Sequence, residues 1–151
     1  MLRRDYFLKL IQDLFTAIGE LLRNDLGQDE KSRRIEALYT QFGDSAQFFR
    51  SATTADAVAT IARTAADAQG VKPEDLTADE MRQRVELLAS LMYADFKCAH
   101  ISDEMRRDVA ERALALSQMV NESSDTFSFE RLDRIEDLKR FISQGDTPTY
   151  D

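Results

Sequence analysis

The chain has 151 residues, 43% hydrophobic and 32% charged, with five Gly, two Pro and one Cys. That length fits one domain, and so few turn-formers argue against a β-sandwich or barrel. The net charge is −8, and residues 71–151 alone hold 11 basic and 18 acidic groups, a balance that repels phosphate backbones and argues against general nucleic-acid binding.

Residues 3–24 are predicted as a first helix. Tyr6, Phe7, Leu10, Ile11, Leu14, Phe15, Ile18, Leu21 and Leu22 recur at three- and four-residue steps. A stripe that wide is expected to pack against more than one neighbour. Arg3, Arg4 and Lys9 would allow a lipid-surface role, but Asp5, Asp13 and Glu20 share the polar side, which favours a core helix. Residues 29–42 follow, with Ile35, Leu38, Tyr39 and Phe42 on one face and Gly43 as the stop. A short turn over 45–50 carries Phe48 and Phe49. Adjacent helical residues point about 100° apart, so a short exposed turn struggles to bury both.

The alanine-rich stretch 54–69 is a helix suited to close approach, ended by Gly70 and Pro73. Thr77-Ala78-Asp79-Glu80 is a capping box that opens a helix over 78–97. Its stripe is Met81, Val85, Leu88, Met92 and Phe96. Ser102 caps a partner helix over 103–121, lined by Met105, Val109, Ala113, Leu116 and Val120. A last helix spans 129–143, with Ser128 as cap, Phe127 and Leu132 as a hydrophobic staple, and Leu132, Ile135, Leu138 and Ile142 inward. Gly145 is its expected stop. The expected organisation is one helical domain over 1–145 and a mobile tail over 146–151.

The pair of helices at 78–121 resembles a tetratricopeptide-type hairpin through Leu88-Ala89, Tyr93 and Ala110-x-x-Ala113-Leu114. The likeness covers under a third of the chain, and no proline closes the unit. The opening Met1-Leu2-Arg3-Arg4-Asp5-Tyr6-Phe7-Leu8-Lys9-Leu10-Ile11 and the cap Thr126-Phe127-Ser128 are similar to an uncharacterised bacterial family of small helical proteins. That resemblance implies a helical, repeat-like fold in a bacterial cell and brings no activity with it.

Motifs for chemistry are sparse. Cys98 and His100 offer two metal ligands, and zinc ordinarily takes four. The economical reading is a helix-end thiol and a histidine near the preceding helix's carbonyls. Neither Gly-x-Ser-x-Gly nor a glycine-rich phosphate loop occurs. The expectation is an all-α, TPR-like bundle of five to seven helices packed as consecutive antiparallel pairs. Its expected function is a noncatalytic scaffold for protein–protein interaction or self-association, cytoplasmic, without cofactor, metal, nucleic acid or membrane span. Phe48, Phe49, Tyr93 and Phe96 are the candidate protein-binding residues. The alternative is a small-molecule or metal-binding module centred on Cys98 and His100.

Overall fold

The computed structural model describes residues 2–23, 26–98 and 101–146. Among them are seven α-helices and no strand: α1 (Leu2–Arg23), α2 (Gln28–Thr40), α3 (Ala46–Ser51), α4 (Thr54–Gln69), α5 (Ala78–Cys98), α6 (Asp103–Ser123) and α7 (Phe129–Asp146). A 3-10 turn at Pro73–Asp75 separates α4 from α5. His100 and the segment 147–151 lie outside the described residues, as do the side chains of Tyr6, Phe7 and Leu10.

Local chemistry sets the helix starts. Ser45, Thr53, Thr77, Ser102 and Ser128 each accept from a backbone N–H three residues on, at 3.0–3.2 Å. Each bond satisfies a donor that the first turn would otherwise leave open. The expected capping box at Thr77 is half formed. Thr77 Oγ1 accepts from the Glu80 amide, but the Glu80 carboxylate takes Gln69 Nε2 at 3.0 Å, tying α5 to the end of α4. Gly70 ends α4 at φ +70°, and Val71 N donates to Ala66 O at 3.0 Å, a Schellman closure. Gly43, at φ +113°, lies so close to α4 that a Cβ would stand 2.0 Å from Thr64 Oγ1. Gly145 is no stop, since α7 runs through it to Asp146.

Helix α5 is the centre of the bundle. It packs against α1, α2, α4 and α6, and twelve of its 21 residues are buried. A helix buried on several sides needs a broad stripe, and the stripe of α5 is explained by several neighbours at once. α5 and α6 make the most extensive helix–helix contact and run antiparallel. Arg82, early in α5, donates to the carbonyl of Ser123 at the end of α6, and Arg106, early in α6, donates to the carbonyl of Phe96 late in α5. The other helices gather on this hairpin. α1 docks on α5 across the intervening α2–α4, and α7 docks on α6. The bundle is thus centred on one helix, where simple stacking of consecutive pairs was expected.

Candidate functional site

The four aromatic residues singled out by the sequence have different fates. Phe49 and Phe96 belong to the core. Phe49 stacks on Tyr39 at 5.8 Å and takes Phe48 edge-on at 5.1 Å, while Phe96 meets Phe141 edge-on at 4.7 Å. The neighbouring helices α2 and α7 supply the cover that a lone turn could not, so Phe49 and Phe96 are not available to a partner. Phe48 and Tyr93 are half-buried. Cys98 is buried, its Sγ 3.7 Å from the Leu21 carbonyl. Among the described residues, no cluster of three His, Cys, Asp or Glu is placed to hold a metal ion.

Sequence periodicity missed a buried charge network. Asp95 of α5 is fully buried. It accepts from Tyr39 Oη at 2.6 Å and takes a two-pronged bond from Arg50, Nε and Nη2 each at 2.8 Å. Arg50 Nη1 also reaches Glu36 at 3.2 Å. The set ties α2, α3 and α5 together. Burial and the Asp95 charge hold the Tyr39 phenol well above its ordinary pKa. Burial works against the Arg50 charge, but Asp95 outweighs it and the guanidinium is held more firmly protonated. Every partner is satisfied, so this is a structural joint. The visible signal was a carboxylate at position 95, on the same helical face as Leu88 and Met92.

Two arginines join the expected inward side of α7. Arg131 and Arg134 are buried with Ile135 and Leu138, and Leu132 is only half-buried. Arg131 is fully engaged, donating to Asn121 Oδ1 at 3.1 Å, Glu86 Oε1 at 3.0 Å and the Thr126 carbonyl at 2.9 Å. Arg134 is not. It donates from Nε to Ser117 Oγ and from Nη1 to Ser90 Oγ, each at 3.1 Å, and Nη2 is sealed from water with no hydrogen-bond partner. It makes no ion pair among the described residues. Burial lowers its pKa and the charge of Arg131 adds to that, while the carboxylates of Glu86 and Glu130 offset part of the shift without contacting it. A buried cation without its own anion costs several kcal/mol.

Arg134 lines a groove of about 400 Å³ between α1, α5 and α7, with Phe15, Ile18, Leu22, Ser90 and Tyr93. The stripe of α1 is only half covered here. Ile18 and Leu21 are buried, while Phe15 and Leu22 are each 44% exposed. On the rim, the Arg23 guanidinium folds back over Gly19, where a Cβ would meet Nη2 at 3.0 Å.

A second exposed feature lies between α6 and α7. Phe127 and Phe129 are 69% and 75% exposed and pack edge-to-face at 4.7 Å. The ring of Phe127, expected to staple onto Leu132, meets the ring of Phe129 and stays largely exposed.

Comparison with known proteins adds no relative: no family model, curated protein or solved structure matches this chain. Among the described residues, no helix is long and apolar enough to cross a membrane.

Proposed function

We propose that the chain is a noncatalytic helical scaffold that binds another protein through the turn between α6 and α7. The observation that carries this reading is the Phe127–Phe129 pair. Two phenylalanine rings mostly in water, in contact with each other at 4.7 Å, form an apolar knob. Aromatic anchors of this kind dominate protein interfaces, where each fills a pocket on the partner. The knob stands beside a fully bonded framework. Ser128 caps α7, and Ser124 and Thr126 hydrogen-bond within the turn. Such a turn presents its rings without ordering first, which limits the entropy lost on binding.

The resemblance of residues 1–11 and 126–128 is what points to a bacterial cell, and a lone buried thiol that forms no disulfide within the chain fits a cytoplasmic setting. Self-association through the same knob is the narrower form of the proposal. The net charge of −8 opposes it, since two copies repel one another.

The test is affinity capture from the native host with the full chain and with the F127S/F129S double variant. A partner retained by the native chain and lost with the variant, at unchanged thermal stability, is the expected result. Identical capture profiles, together with monomeric sedimentation of both proteins, would contradict the proposal.

A further inference from the structure

We propose that the groove between α1, α5 and α7 binds a small amphipathic monocarboxylate, its head on Arg134 and its apolar body along Phe15, Ile18 and Leu22. Three independent observations converge. Arg134 is only 9% exposed, and its Nη2 has no partner. Its two other hydrogen bonds go to neutral serine hydroxyls, so no anion offsets the charge at contact distance. The groove it lines, at about 400 Å³, falls within the range of small-molecule sites, roughly 300–1,000 Å³. One wall carries Phe15 and Leu22, large apolar side chains that α1 leaves partly in water.

The charges around the groove narrow the ligand. Arg23 on the rim makes no ion pair among the described residues and supplies a second cation. Glu130 and Asp133 also line the groove and pair with neither arginine. Two carboxylates beside two guanidiniums leave little net positive field, which disfavours a phosphate dianion and tolerates a single negative charge. A carboxylate is planar and matches the guanidinium fork with two parallel bonds. Because Nη2 is sealed from water, the head group engages it only as a groove side chain shifts or the guanidinium is drawn outward. Binding is therefore expected to be slower than diffusion alone would set.

Isothermal titration of the full chain at pH 8 with octanoate tests this, beside octanol, octylammonium and octyl phosphate as probes of head-group charge. Octanoate should bind one to one, at least tenfold more tightly than each of the other three. Arg134→Met should weaken octanoate at least tenfold and abolish the rise in melting temperature that octanoate gives the native chain, while leaving the melting temperature of the free protein equal or higher. Leu22→Asp, at an exposed wall position, should weaken octanoate at least tenfold with the fold intact, and it carries the test if R134M does not fold. No heat with octanoate at millimolar concentration, equal affinity for octanol, or undiminished binding by both variants would overturn the proposal and leave Arg134 as a structural bridge between Ser90 and Ser117.

Discussion

Asp95 receives three hydrogen bonds from side chains on two other helices, and its removal would strand Arg50 and Tyr39 together. Arg50 would keep only its bond to Glu36 at 3.2 Å, and removing one partner of a buried ion pair costs about 3–5 kcal/mol. Asp95→Ala is therefore expected to lose stability in that range in urea unfolding, well beyond an ordinary surface change of about 0.5 kcal/mol. The titrating groups give stability a definite pH profile. Burial raises the Asp137 pKa, but bonds from Lys97 at 2.7 Å and Tyr93 at 2.5 Å outweigh it and hold the carboxyl below its ordinary value of 3.8. A depressed carboxyl stabilises the fold above that ordinary value, and the gain is lost as pH falls through the folded pKa. Tyr39 and Tyr93 are raised above 10.0, first by burial and then by their carboxylate partners. Their contribution is complete below the unfolded value and is lost as pH rises through the folded one. Urea midpoints should fall on both sides of neutrality. The acid loss should be smaller in Asp137→Asn and the alkaline loss smaller in Tyr93→Phe. Periodicity could not show these residues, because it sorts positions by apolarity. Asp95, Arg131 and Arg134 each sit on a buried face and read as solvent positions.

Helix boundaries were the most legible part of the chain. The signals are local: a hydroxyl three residues before a free amide, or a glycine able to take positive φ. The three expected caps, Thr77, Ser102 and Ser128, all form, and α5, α6 and α7 begin just after them. Ser102→Ala should cost about 1 kcal/mol, as measured by chemical denaturation, because Met105 N then loses its acceptor. What local signals miss is how a helix is rotated. The α7 face was assigned from Leu132, Ile135, Leu138 and Ile142; Ile135 and Leu138 are buried, Leu132 and Ile142 are half-buried, and Arg131 and Arg134 complete the buried side. Long arginine side chains can be buried where hydroxyls, amides and carbonyls from α5, α6 and the preceding turn receive them. Whether Phe127 packs on Leu132 or on Phe129 depends on the direction of the entering chain, which no spacing rule specifies.

At the scale of the whole molecule, the all-α class followed from scarce turn-formers and unbroken helical periodicity. The arrangement of the helices did not. Contacts such as α1 on α5 join segments about 70 residues apart, and nothing in one sequence encodes such a pairing locally. As a result, two of the four aromatic residues put forward as protein-binding candidates lie in the core, and among the described residues Phe127 and Phe129 are far more exposed than any of the four. The bundle reads as a rigid carrier: a buried central helix, a satisfied charge joint, and an aromatic knob on the turn before α7. The most direct test of that reading places a photo-crosslinking phenylalanine analogue at position 127, 129 or, as an exposed control on the far part of α7, 139, in cells that natively make the protein. The account predicts one discrete heterologous adduct from positions 127 and 129 and none from 139. Equal labelling from all three positions, or no adduct from the turn, would contradict it.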